Sequence, residues 1–474
     1  MNNATTRAVA AFAAAGHHFP PLARARAVDA ITDCVGCMLG GSREALATPL
    51  LKTLATVATP RDGMRAPLLG TRQYAAPGDA ALFNGTIAHA LDYDDTNHPA
   101  YAHPSAVLVP ALLALAASEQ MSGRALVDAY IVGFELFGKL GRALNTAHYK
   151  RGWHATGTFG AIAAAVAAGN LLRLDERQTV NALGIAASSA AGLRANFGSM
   201  VKPLHAGQAA RNGVVAALLA REGFVATDAV FEHEYGYCEV FNDGLSFDPA
   251  PLAAAGESLE ILTQYGLALK LYPSCGATHP GIEAALMVRP KIGDAPIRSI
   301  RAGVCEMALA PLIHVMPNAP LEGKFSLHYC IAAALVDGVV NLDTFTPAKI
   351  ADPHIRELIP RITMEVDERV RHGTEFPTII EVETQSGRRF ECLVPLAPGK
   401  PERWFTPEQL RAKFDDCALR AWSPGRLDGA FAALRALDDD VPVATRLAPF
   451  GFQPAGPSVP ADAHQEPFHA QSHA

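Results

Sequence analysis

Residues 159–172 read FGAIAAAVAAGNLL, and this run decides the fold class. No position in it is charged, and alanine and glycine dominate. It falls short of the ~20 apolar residues that cross a membrane and exceeds the usual length of a buried strand. It is therefore predicted to be a helix buried on all sides. Small side chains let helix backbones approach closely, so its neighbours should be helices too. On its C-terminal side the spacing predicts helices over residues 176–192 and 207–222; on its N-terminal side, over 107–119 and 123–144. Further back, Pro20 and Pro21 open a helix in which Ala27, Val28, Ile31, Cys34, Val35 and Met38 recur at helical spacing. Helices over 43–56 and 80–92 follow.

The pattern changes near residue 259. Ile300, Ala302 and Val304 alternate with Arg301, Gly303 and Cys305, the period of a strand. Residues 378–384 and 388–396 flank a Gln-Ser-Gly turn and read as a hairpin. Helical spacing covers 278–288 and 325–337, then returns over 406–421 and 423–436. The expected architecture is mostly α with an α+β insertion. A large all-helical domain (1–262, completed by 405–452) carries a smaller α+β lid (263–404). Residues 453–474, rich in Pro, Ala and His without periodicity, are expected to be a disordered tail.

The 474 residues are 49% hydrophobic and 18% charged, with net charge −7. That composition suits a globular chain and argues against nucleic acid as a partner. The N-terminus lacks the apolar core of a signal peptide, so the expectation is a soluble cytoplasmic protein with no membrane association. Eight scattered cysteines suit reduced thiols. Cys34 and Cys37 form a CxxC within a helical pattern and read as packing residues. No GxGxxG, Walker A or GxSxG pattern is present.

Chemistry concentrates at residues 88–107, AHALDYDDTNHPAYAHPSAV, which hold Asp92, Asp94, Asp95, Thr96, His98 and His103. Acids and imidazoles together titrate on both sides of neutrality, as proton transfer requires. The spacing matches no closed zinc pattern, and a DDxxD magnesium motif fails at its fifth position, His98. Asp94 and Asp95 also suit a helix cap, and His98, beside Pro99, suits a turn. Three more segments set polar groups in apolar surroundings: residues 148–160 with His148, Tyr149, Lys150, Arg151 and His154; residues 195–213 with Lys202 and His205; and residues 270–285 with Lys270, Tyr272 and His279. A lysine between Val201 and Pro203 is a candidate base or anion anchor, because desolvation lowers its pKa.

The segments NGTIAHALDYDDTNHP, RGWHATGTFGAIAAA, ANFGSMVKPLHAGQAARNG, LYPSCGATHPGIEAA and EGKFSLHYCIAAAL, in this order, resemble the MmgE/PrpD family over nearly the whole chain. That family includes 2-methylcitrate dehydratase, cis-aconitate decarboxylase and iminodisuccinate epimerase. The resemblance implies a helical domain with an α+β lid, a homodimer, and no metal or organic cofactor. Carried over by motif, it implies site residues Asp92, Thr96, His103, His154, Lys202 and His279. The spacer before His103 is one residue longer than in the decarboxylase pattern, and Tyr149 is an additional acid/base candidate. The expected substrate is a small di- or tricarboxylate. The expected roles are carboxylate binding by Lys202 and His154, an acid/base pair of His103 with Asp92, and closure by His279. Among reactions at a carbon beside a carboxylate, a 2-methylcitrate-dehydratase-like lyase ranks first, an epimerase second and a decarboxylase third. An inactive carboxylate-binding relative is the non-catalytic alternative.

Overall fold

The computed structural model describes residues 4–57, 64–242 and 247–452. The run that opened the reading lies in the helix Ala155–Leu171, in which every residue except Asn170 is buried. A helix apolar all round has no solvent face and becomes a central element. The helices Ser105–Ser118, Gly123–Leu144, Glu176–Ser188 and Val201–Arg221 pack around it. Their approach depends on missing side chains. A Cβ added to Gly213 would lie 2.3 Å from the Ala164 side chain, and one added to Gly207 would lie 2.2 Å from the Leu82 carbonyl oxygen. Gly207 thus brings the helix Val201–Arg221 against the helix Pro77–Ala88, which leads directly into the acidic segment.

Helix ends differ from the expected ones where polar groups intervene. The helix expected over 80–92 ends at Ala88, and Asp92 has a left-handed φ of 54°. The acidic stretch is therefore a loop and not a helix terminus. The helix expected from 207 starts at Val201, because Pro203 is tolerated in a first turn. It therefore carries Lys202 and His205 within it. The helix expected from 158 starts at Ala155, directly after His154. The helix Ala4–Ala14 was not anticipated.

A second apolar cluster lies between Tyr272 and Val394, apart from the main one, which gathers residues up to Leu269 and again from Phe405 to Phe452. Its four-stranded sheet has the order Ile362–Val366, Ile297–Val304, Thr378–Thr384, Arg389–Val394. The first pair is parallel and the others antiparallel. The hairpin matches the expected one closely. The strand Ile362–Val366 escaped the reading, being a short segment between a helical turn and a loop. The helix His279–Ile292 packs on this sheet and against Leu327–Asp337. Between the two cores, Leu91 and Tyr93 join Cys37, Cys417 and Leu342 in a small apolar cluster. Among the described residues no helix is long and apolar enough to cross a membrane. The expected disordered tail lies outside the described residues.

Replacing Gly207 with Ala should lower stability by about 2 kcal/mol, because the rigid Leu82 carbonyl must move. Gly429→Ala, in a helix with open space around it, should be neutral or stabilising by up to ~1 kcal/mol. Urea unfolding of the two variants checks both.

Candidate active site

After the helix Pro77–Ala88, three successive carbonyls each accept a hydrogen bond from a different lysine. Lys324 donates to Leu91 O at 2.5 Å, Lys270 to Asp92 O at 2.6 Å and Lys413 to Tyr93 O at 2.7 Å. The Asp92 carboxylate receives Lys202 at 2.7 Å and Lys270 at 3.2 Å. Burial alone would raise the Asp92 pKa, but Lys202 and Lys270 outweigh it and hold Asp92 well below its ordinary range. Burial pulls Lys202 down, yet Asp92 outweighs that and leaves it raised. The expectation of a lowered Lys202 is thus corrected: it is a permanent cation. The lowered lysine is Lys324, desolvated and crowded by Lys270 and Lys202, with Asp92 opposing. Lys413 is neutralised separately by Asp33 at 2.6 Å, both side chains being buried.

The histidines form a row beside this loop. The Asp94 carboxylate lies 2.8 Å from His89 Nδ1 and 3.3 Å from His103 Nδ1. The expected pairing of His103 with Asp92 is corrected by these distances: Asp94 faces the imidazole, while Asp92 is taken by the lysines. His103 Nδ1 also lies 2.8 Å from the Asp95 carbonyl, which can only accept. The Nδ1 hydrogen is therefore fixed, and neutral His103 keeps Nε2 bare as a base. Burial would raise Asp94, but the two imidazoles hold it well below its ordinary range. Burial pushes His89 down to about 4 despite Asp94. The ring of His154 stacks 5.9 Å from His89 and meets Phe197 edge-on at 4.9 Å. Its Nδ1 lies 3.0 Å from His205 Nδ1. Burial, with His89 and Lys202 adding to it, drives His154 well below the histidine range.

Asp95 does the capping work considered for the acidic pair: it accepts from the Ser105 N–H at 3.0 Å and hydroxyl at 2.7 Å. Burial raises it to about 7 against those bonds. Thr96 lies in a two-residue strand pair with Ala268, two positions before Lys270. The His103 N–H donates to Thr156 Oγ1 at 3.2 Å, tying the loop to the first turn of the central helix.

The structure thus brings Asp92, Lys202, His103 and His154 together. Lys202, Asp92 and His103 retain 18%, 13% and 14% side-chain exposure, so all three are partly open to solvent. Tyr149 is half-buried, its ring covered by Arg194 at 3.7 Å and beside Tyr101 at 5.3 Å. His279 starts its helix and donates from Nε2 to Ser274 O at 3.2 Å. Burial, reinforced by Lys270, lowers it to about 3. No hydrogen bond joins it to the imidazole row among the described residues. His89, His103 and Asp94 offer ligand atoms within 4.8 Å of one another. They are a possible metal donor set, here arranged as hydrogen bonds to one carboxylate. Sequence reasoning missed His89, Lys324, Lys413 and Asp33. A signal existed for the lysines: each of the four is flanked by apolar residues or glycine, as in Leu269-Lys270-Leu271 and Ala412-Lys413-Phe414.

The MmgE/PrpD N-terminal domain model matches residues 7–250 and the C-terminal domain model residues 272–428. The chain belongs to the MmgE/PrpD family. Relatives within it include the cis-aconitate decarboxylase of Homo sapiens, 29% identical over 82% of each chain. A cis-aconitate decarboxylase-like protein of Aspergillus oryzae is 30% identical over 80% of this chain and 84% of its own. A cis-aconitate decarboxylase of Aspergillus terreus is 30% identical over 64% and 66%. These relatives support lyase chemistry for this MmgE/PrpD protein. The segment before His103 turns at 98–101, closed by Tyr101 N–H to His98 O at 3.0 Å, with Tyr101 at φ 49°.

Asp33→Asn leaves the Lys413 ammonium buried against an amide and should cost about 3–5 kcal/mol. Adding Lys413→Met should recover part of that loss, measured by urea unfolding. His89 should make the protein acid-sensitive. Its pKa is near 4 folded and about 6.5 unfolded, so the unfolded chain binds more protons between those values. Its contribution, on the order of 3 kcal/mol, is complete above pH 6.5 and lost as the pH falls to 4. His89→Gln should flatten the stability–pH curve in that window, read from urea midpoints at several pH values.

Proposed function

We propose that this MmgE/PrpD protein is a lyase that decarboxylates a cis-aconitate-like tricarboxylate. The observation that carries the reading is the charge imbalance at residues 91–93. Lys202 and Lys270 share the one carboxylate of Asp92, and Lys324 donates to the neighbouring Leu91 carbonyl, immediately beside the imidazole row. A substrate with several carboxylates supplies the missing negative charge. When the C–CO2 bond breaks, its electron pair spreads towards a remaining carboxylate, and fixed ammonium groups favour that developing charge. A proton must then reach carbon. His103, oriented through Nδ1, and His154 are the groups placed to handle it.

Dehydration ranked first on sequence alone and decarboxylation third. The named relatives support placing decarboxylation first here, because the same groups serve either reaction and the relatives are cis-aconitate decarboxylases or resemble them. Tyr101 and Tyr149, whose rings meet at a tilt 5.3 Å apart, are the residues through which substrate preference would differ from theirs.

Incubation with cis-aconitate should release carbon dioxide and give a product one carbon shorter, seen by proton NMR. Lys202→Met should lower kcat/KM by about 100-fold or more. Collapse of the 2-methylcitrate methyl doublet to an allylic singlet, or a new vinyl signal, without carbon dioxide would instead establish dehydration. Near-normal turnover by Lys202→Met would remove the lysine from the mechanism.

A further inference from the structure

His154 and His205 face each other Nδ1 to Nδ1 at 3.0 Å, and the chemistry above engages only one of them. His154 is buried, whereas His205 is half-buried. His205 follows Lys202 by three residues on the helix Val201–Arg221, so both side chains lie on one face and reach the same site. Two neutral imidazoles satisfy this contact in one way: one ring donates its Nδ1 hydrogen and the other accepts at a bare Nδ1 while carrying its hydrogen on Nε2. Burial lowers both rings below the usual histidine range, so the neutral pair is the resting state near pH 7.

A neutral imidazole is a poor acid, because losing its Nε2 hydrogen leaves an imidazolate. A proton arriving at Nδ1 in the same step removes that obstacle. We propose that His205 supplies this proton, making His154 the donor to the substrate carbon. The assignment rests on the decarboxylase reading, in which each turnover consumes one proton. The C–CO2 bond breaks and carbon dioxide leaves. The electron pair left on the substrate takes the hydrogen from His154 Nε2 to form a C–H bond. His154 Nδ1 takes the hydrogen from His205 Nδ1, and His205 Nε2 takes one from water, leaving hydroxide that bulk solvent protonates. The tautomers reset through solvent once product has left. His205 is thus a relay residue acting through His154.

The test compares the intact protein with His205→Ala and His205→Gln, using cis-aconitate and carbon dioxide release, with thermal melting to verify folding. The expected result for His205→Ala is a fall in kcat of about 100-fold with KM nearly unchanged. Millimolar imidazole should restore a substantial part of kcat in the Ala variant, and glutamine should not substitute. An unchanged kcat would overturn the relay. So would a raised KM with normal kcat, which marks anion binding, or a folded variant whose loss imidazole does not repair. Absence of carbon dioxide release by the unmodified protein would remove the decarboxylase reading, and the relay's proton demand with it. An active parent with an equally active His205→Ala would sink the relay alone.

Discussion

The interaction on which the site depends is the convergence of four lysines on residues 91–93. An ammonium group removed from water costs several kcal/mol unless it is paired and hydrogen-bonded. Here each lysine reaches into a loop whose carbonyls are free because the preceding helix has already ended at Ala88. The lysines come from four separate places: the helix Val201–Arg221, the segment after Leu267–Ala268, the short helix Pro320–Lys324 and the helix Pro407–Ala418. The loop is therefore the point where the parts of the chain are tied together electrostatically. Asp92 adopts its left-handed backbone there, a conformation that costs energy in a non-glycine residue and persists when its surroundings over-determine it.

The lysine cluster also explains why the apolar packing has to be so close. Lys202 reaches the loop, and His205 reaches His154, only if the helix Val201–Arg221 lies directly on Pro77–Ala88, and Gly207 with Gly85 permits that approach. The central helix Ala155–Leu171 places His154 at its N-terminal edge and offers Thr156 to His103. Small residues in the interior thus position charged residues at its edge. The same logic accounts for Asp33 and Lys413, a deep ion pair whose visible service is to hold the Tyr93 carbonyl.

Much of this was legible in the sequence, for reasons that can be named. The run 159–172 identified the central helix, the Gln-Ser-Gly turn identified the hairpin at 378–394, and alternation identified the strand Ile297–Val304. The residues Asp92, His103, His154 and Lys202 were found through motif order and through the oddity of charge in apolar surroundings. Pairing was not legible, since adjacent carboxylates carry no local sign of which imidazole each will face. Asp92 and Asp94 differ by two positions, yet one faces lysines and the other histidines. That division follows from the left-handed turn at Asp92, a tertiary outcome that no spacing rule encodes. His89 was passed over because it sits between alanines at a helix end, where a buried histidine looks like packing.

The division between Asp92 and Asp94 separates two electrostatic tasks within one loop. On one side, Lys202 and Lys270 share the single carboxylate of Asp92. On the other, Asp94 and the Asp95 carbonyl fix the hydrogen of His103 on Nδ1, leaving its Nε2 as the nitrogen free to take a proton. In the proposed reading, binding and proton transfer are controlled by different carboxylates only two residues apart. The anion side can stay constant while residues around the imidazole row and at the rim, such as Tyr101 and Tyr149 here, adjust which carbon is presented to the proton.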